Sequence, residues 1–259
     1  MRKKLAFFVL GLVLGVVFTG CDKPQTAQKQ TLNVFAAASM SETMSEIKKL
    51  YEAKNGVELR YTFDSSGTLL RQILAGSECD VFISAAQKQM NTLEEKGLLL
   101  ENSRENLLEN KVVLAVKKGN PARLYSFAEL TSPKLKLLAI GNKDVPVGSY
   151  TLDIFAYLNT SDTALASEGK LTFGSNVKEV TTQVAQGVVD AGVIYATDAF
   201  SAGLEVVDVA TKEMCKPVIY PVATLKASKN SQEAAKFIAF LKTQEAMEIF
   251  KKVGFSPAE

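Results

Sequence analysis

From Leu32 onward the chain alternates short apolar runs with segments whose apolar positions recur every three or four residues. These are the signatures of buried strands and one-sided helices. Leu32-Asn33-Val34-Phe35 reads as a strand, and Met40, Met44, Ile47, Leu50 and Tyr51 then share one helical stripe. Val57 to Phe63 predicts a second strand, Leu69, Leu70, Ile73 and Leu74 a second stripe, and Asp80 to Ser84 a third strand. The order βαβαβ implies a parallel sheet covered by helices. Met90 to Lys96 predicts a short helix closed by Gly97, and Lys111 to Lys117 a strand ended by Gly119-Asn120-Pro121.

A similar series follows. Phe127 to Leu130 reads as a short helix, Leu137 to Ile140 as a strand, Tyr150 to Leu158 and Val177 to Gln186 as helices, and Ala191 to Tyr195 as a strand. Val218 to Leu225 is a late strand, and Ser231 is a candidate cap for a helical pair ending at Gly254. Two α/β lobes are the economical expectation, one from residues 31–111 and 222–259, the other from 112–221. Two chain crossings make a hinge, and the cleft between the lobes faces the carboxyl ends of strands, where open α/β sheets take ligands.

Composition changes this picture mainly at the start. Arg2-Lys3-Lys4 precedes an apolar stretch from Leu5 to Phe18 that ends in small residues before Cys21, the layout of an export signal over residues 1–20. Phe18-Thr19-Gly20-Cys21 resembles the bacterial lipobox, which implies lipidation of Cys21, with residues 21–30 as a polar tether. The protein is therefore expected outside the cytoplasm, anchored by lipid to the cell membrane. The 259 residues are 47% apolar and 22% charged, enough for one or two cores, and a net charge of +2 with mixed signs offers no face for nucleic acid. Cys79 and Cys215 could pair or stay as separate buried thiols.

The candidate chemistry is polar and uncharged. Ser39, in Ala36-Ala37-Ala38-Ser39, and Ser66, in Asp64-Ser65-Ser66-Gly67, each follow a strand and stand where a helix begins. Read singly, each is an ordinary N-cap. Together they aim hydroxyls and unpaired first-turn amides at one place, as an anion site requires. Val145-Pro146-Val147-Gly148 and Ser175-Asn176-Val177 supply further helix starts, where Val147 and Val177 can act only through backbone N–H. Tyr195 ends a buried strand with a phenol that is either one more donor or a core aromatic.

These segments, with Asp80 to Ala85 and Val193 to Ala199, resemble in order the signature segments of the molybdate-binding proteins of bacterial ABC transporters, over nearly the whole chain from residue 31 to Gly254. The resemblance implies the type II periplasmic-binding-protein fold: two lobes, each a mostly parallel sheet flanked by helices, with the ligand in the cleft between them. It also implies a cage for molybdate or tungstate made of the Ser39 and Ser66 hydroxyls, the Val147 and Val177 amides and the Tyr195 hydroxyl. The implied partner is an ABC permease in the cytoplasmic membrane, and the expected state is a monomer with no cofactor. Asp64 departs from the family pattern, standing where small uncharged residues are common, and Val147 stands where Ala is frequent.

Other functions fit less well. With no histidine in the chain, a Ser-His-Asp triad and imidazole metal sites are excluded, and no Cys-x-x-Cys or Gly-x-Gly-x-x-Gly motif occurs. Ser45-Glu46-Ile47-Lys48 matches the Ser-x-x-Lys pattern of a serine hydrolase, but it lies within a predicted helix and lacks the companion Lys-Thr-Gly. No enzymatic activity is expected. The serious alternative is a binding protein of the same architecture for sulfate, thiosulfate or a small organic acid. An organic acid calls for an arginine fork, and Arg71, the one arginine near a site motif, is expected at the surface or behind the site.

Overall fold

The computed structural model describes residues 30–258. The signal, Cys21 and most of the tether lie outside the described residues. In chain order the elements begin with β1 (Thr31–Ala37), a 3-10 turn (Ala38–Met40), α1 (Ser41–Asn55), β2 (Glu58–Asp64), α2 (Ser66–Leu74), β3 (Val81–Ile83), α3 (Gln87–Glu95), β4 (Glu105–Asn110) and β5 (Val112–Val116). A 3-10 turn over Phe127–Thr131 leads to β6 (Leu138–Gly141), α4 (Pro146–Tyr157), α5 (Asp162–Ser167), β7 (Leu171–Gly174), α6 (Val177–Gln186), β8 (Ala191–Tyr195), α7 (Ala196–Ser201) and β9 (Glu205–Val209). The chain ends with β10 (Val218–Thr224), α8 (Ser231–Leu241), α9 (Gln244–Lys252) and β11 (Ser256–Pro257).

Two sheets result. The first has the order β11-β4-β10-β3-β1-β2 and the second β7-β6-β8-β5-β9. In the first, β1 runs parallel to β2 and β3, while β10 joins antiparallel to β3 and β4. In the second, β6 runs parallel to β7 and β8, and β5 is antiparallel to β8 and β9. Both sheets are thus mixed, the antiparallel members being the strands next to the chain crossings. The chain leaves the first sheet after Asn110 and returns at Val218, which already pairs with Asn110.

β1 explains why the first lobe is covered on both faces. Leu32, Val34 and Ala36 are buried in the core that includes Met44, Ile47 and Tyr51 of α1 and Phe237 and Phe250 of the C-terminal helices. Phe35 points the other way, into a second cluster with Leu69 of α2, Phe82 of β3, and Met90 and Leu93 of α3. Alternate residues of one strand therefore serve two apolar layers, so the strand reads as a continuous apolar run. α8 and α9 complete the first lobe, because the tail returns to the sheet where the chain began. α1 stops at Gly56, whose φ of 66° is the left-handed cap that a glycine adopts without strain.

Candidate oxyanion site

The strands of both lobes direct their carboxyl ends to one cavity of about 190 Å³, mouth included. From the first lobe Ser39, in the turn after β1, and Ser65 and Ser66, at the start of α2, line it, with Asp64 at the end of β2 and Ala85 beyond β3. From the second lobe Val145 and Pro146, at the start of α4, Val177, at the start of α6, and Tyr195, ending β8, close it. No lysine or arginine lines the wall. A larger hollow lies at the opposite ends of β1 and β3 around Asp80. There the carboxylate is fully engaged by the Asn33 amide at 2.8 Å, the Ser228 hydroxyl at 2.6 Å and the Asn230 side chain, so that hollow holds no carboxylate in search of a partner.

Donors dominate the smaller cavity. Ser66 Oγ accepts the Ala85 amide at 2.9 Å, which leaves its own hydrogen to donate. Ser39 Oγ lies 2.8 Å from Tyr220 Oη on β10. Tyr195 Oη is buried and has no hydrogen-bond partner among the described residues. Burial first, and then the neighbouring Tyr220, Tyr150 and acidic groups, push the Tyr195 pKa well above the ordinary phenol value, so it stays a neutral donor. The amides of Val147 and Val177 have no acceptor among the described residues, as helix geometry dictates for first-turn N–H groups. Asn176 caps the Glu179 amide at 3.1 Å and leaves the Val177 amide free.

The local structure corrects several expectations. Ser39 is not an N-cap: it sits inside the 3-10 turn, and α1 begins at Ser41. The extra turn lets Ser39 reach Tyr220 instead of its own helix. Ser66 is the first residue of α2, and the cap is Ser65, whose Oγ takes the Thr68 amide at 3.2 Å. α4 starts four residues earlier than the periodicity suggests, at Pro146, so Val147 and Gly148 lie in its first turn. Gly148 spends its amide on Val145 O at 2.9 Å. Val147 does not itself line the cavity wall; its neighbours Val145 and Pro146 do. Ser231 opens α8, but Asn230 occupies the cap position and makes no capping bond. Cys79 and Cys215 are separate buried thiols.

Asp64 stands on the cavity wall with Oδ1 turned to the Ser65 amide at 2.6 Å, which removes that amide from the set of donors. Arg71 does not line the cavity. It reaches from α2 across the cleft to Asp144 of the second lobe, at 2.7 Å. On the other side, Lys178 extends from α6 to Glu42 of α1 at 2.7 Å and lies 3.0 Å from Asp198 Oδ1, with the Asp198 side chain fully buried. Burial pushes the Asp198 pKa up to about 6 against the pull of Lys178. Burial works against the Lys178 ammonium too, but Asp198 and Glu42 outweigh it and hold its pKa above the ordinary lysine value.

Gly67 meets the second lobe most closely, since a Cβ there would overlap the carbonyl oxygen of Asp144. Asp144, Lys178, Asn110, Tyr220 and Gly67 all lie outside the set of residues that sequence reasoning selected. Only Gly67, directly after Ser66, carried a local hint.

Residues 32–256 match the family described as bacterial extracellular solute-binding protein. A Bacillus subtilis protein provisionally named an ABC transporter substrate-binding lipoprotein is 33% identical over 99% of both chains. The molybdate-binding protein of Escherichia coli is 33% identical over 89% of this chain and 90% of its own. Among solved structures, a Clostridium difficile substrate binding domain, provisionally assigned to a molybdenum ABC transporter, superposes with a TM-score of 0.68. It is 35% identical over 89% of this chain and 100% of that one.

Proposed function

Because the chain belongs to the bacterial extracellular solute-binding protein family, we propose that it captures molybdate, and tungstate alike, outside the cytoplasm and delivers it to an ABC permease. The observation that carries this reading is the Tyr195 hydroxyl, buried without a partner among the described residues against a cavity that Ser39, Ser66 and Val177, at the start of α6, also line. A buried hydroxyl left unpaired costs about 1–3 kcal/mol, and a ligand that accepts its hydrogen recovers that cost.

A tetrahedral dianion such as molybdate offers four acceptor oxygens and no proton. Ser39, Ser66, Val147, Val177 and Tyr195 offer hydrogens and no formal charge. Hydrogen bonds to a charged acceptor contribute roughly 1.5–3 kcal/mol each, so several of them, with the helix dipoles of α2, α4 and α6, offset much of the anion's dehydration. Phosphate keeps a proton at neutral pH, and its O–H meets donors on most of the wall. Sulfate is as fully deprotonated as molybdate, so only the radius of the cage separates the two; tungstate, nearly the size of molybdate, is accepted with it.

The ligand set is divided between the lobes, so only the closed form completes it, and the anion draws the population toward closure. The closed form is then what a permease reads. Lipid attachment at Cys21 keeps the protein beside that partner, and the monomer suffices because one chain supplies every proposed contact. Thermal-shift titrations with molybdate, tungstate, sulfate and phosphate test the reading. Stabilisation by the first two at micromolar concentration, with little from the others, is expected; stabilisation by sulfate alone would make this a sulfate-binding protein, and no shift with any would overturn the oxyanion reading.

A further inference from the structure

The direction of each hydrogen bond behind Ser39 can be traced from a donor whose role is unambiguous. The Lys111 amide can only donate, and it lies 2.8 Å from Asn110 Oδ1. That fixes the Asn110 side chain with its nitrogen on the far side. Nδ2 is 2.9 Å from Thr197 Oγ1 and 3.2 Å from Tyr220 Oη, and it carries two hydrogens and no free lone pair. Tyr220 Oη therefore accepts from Asn110, and because Ser39 Oγ, 2.8 Å away, is its one other partner among the described residues, its own hydrogen goes there. Ser39 then has one hydrogen left and a single open direction for it, the cavity it lines. Asn110, Tyr220 and Ser39 are all buried, so water does not scramble this order.

We propose that Asn110 and Tyr220 are specificity-determining positioning residues: they lock the Ser39 hydroxyl as a donor, so that the cavity rejects tetrahedral anions that carry a proton. The proposal rests on the oxyanion reading above and deepens it. Ser66 accepts the Ala85 amide in the same way, and the Tyr195 hydroxyl has no partner of either kind among the described residues. Ser39 is the one hydroxyl whose polarity depends on a relay of side chains and is therefore the one that substitution can reverse. Asp64 is the one carboxylate in the wall, and its Oδ1 already holds the Ser65 amide.

In the Tyr220→Phe variant the Ser39 hydroxyl is free to turn and accept the O–H of a protonated anion. In Asn110→Asp an acceptor replaces the donor, Tyr220 turns its hydrogen toward it, and Ser39 donates to Tyr220 and shows lone pairs to the cavity. The added charge weakens every dianion, so the ratio of affinities isolates polarity from charge.

Calorimetric competition of molybdate against inorganic phosphate on the purified protein at neutral pH reads that ratio. The parent protein is expected to favour molybdate strongly, and the preference should fall about tenfold or more in each variant, the scale of one mispaired hydrogen bond. If one variant does not fold by circular dichroism, the other reads the same ratio. A preference unchanged within about twofold in a folded variant overturns the relay, since a purely structural role weakens both anions alike. Phosphate bound by the parent as tightly as molybdate overturns it as well and points to Asp64 as the acceptor. A parent protein that binds neither anion strikes the oxyanion reading itself, a result distinct from either.

Discussion

At the scale of single residues, the proposed site trades stability for affinity. Tyr195 keeps a buried hydroxyl without a partner among the described residues, which a folded chain tolerates only at a cost of about 1–3 kcal/mol. Tyr195→Phe is expected to raise the melting temperature of the ligand-free protein slightly and to weaken molybdate binding by about ten- to a hundredfold, the range of one hydrogen bond to a charged acceptor. Differential scanning calorimetry and a binding isotherm together check both signs; unchanged affinity would return Tyr195 to the role of core aromatic.

Asp198 carries the second residue-scale prediction. Its pKa, near 6 in the folded state and 3.8 as the unperturbed value, means that between those pH values the folded form holds a proton that the unfolded form has lost. Its contribution to stability therefore grows as pH falls through 6, against the usual trend for a salt-bridged carboxylate. Lys178 and Glu42 are the charged groups it faces. A carbon-detected NMR titration of the Asp198 carboxyl is expected to give a midpoint near 6; a midpoint near 4 would mean that Lys178 dominates.

The serines and Tyr195 were legible in the sequence because each ends a strand or opens a helix, and strand-to-helix junctions show in local periodicity. Their partners were not. Tyr220 lies 181 positions from Ser39 and 110 from Asn110, and no local pattern encodes a contact of that span. The role of Ser39 as an N-cap was misread for a related reason: the 3-10 turn before α1 leaves the register of the apolar stripe unchanged, so periodicity alone places the helix start too early.

At the scale of elements, the sequence revealed the strands with two buried faces and the rim strand β2, and missed β4, β7, β9 and β11. β1, β3, β5, β8 and β10 all read as apolar runs. β7 and β9 are the edge strands of the second sheet, and β9, as Glu205-Val206-Val207-Asp208-Val209, has no fully buried residue. β4, with the polar sequence Glu105-Asn106-Leu107-Leu108-Glu109-Asn110, is covered on one side only by the short β11. An edge strand needs one apolar face at most, so it leaves a weak signal. α5 buries only Leu165 among its six residues and leaves an equally faint stripe.

The start of α2 carries the element-scale prediction. Gly67 brings the helix N-terminus against the Asp144 carbonyl of the other lobe, where a Cβ would overlap backbone that cannot step aside. Gly67→Ala leaves the first lobe intact but holds the cleft ajar. Stopped-flow binding is expected to show faster release of molybdate with a nearly unchanged association rate, and an affinity lower by tenfold or more, about 1.4 kcal/mol. Wild-type release kinetics in that variant would show that the lobes do not approach this closely in solution.

At the scale of the whole molecule, two lobes meet over one small cavity, lined by hydroxyl groups and the Asp64 carboxylate, with ion pairs on either side. The Arg71–Asp144 and Lys178–Glu42 pairs cross the cleft on either side. The Arg71–Asp144 pair is largely exposed, and pairs of that kind contribute only about 0–1 kcal/mol, whereas Lys178 is mostly buried and is also held by the buried Asp198. In the proposed function the driving term is the anion, which would engage donors from both lobes at once. Of the residues the resemblance implies, Ser39 and Ser66 line the cavity from the lobe before the first crossing, and Val177 and Tyr195 from the lobe after it. The sequence held no sign of the ion pairs that flank the cavity.

Crystals soaked with molybdate and measured at the molybdenum absorption edge test the central claim most directly. A single anomalous peak between the lobes is predicted, with its oxygens within hydrogen-bond distance of Ser39 Oγ, Ser66 Oγ, Tyr195 Oη and the amides of Val147 and Val177. No peak there, or a peak in the hollow beside Asp80, would contradict it.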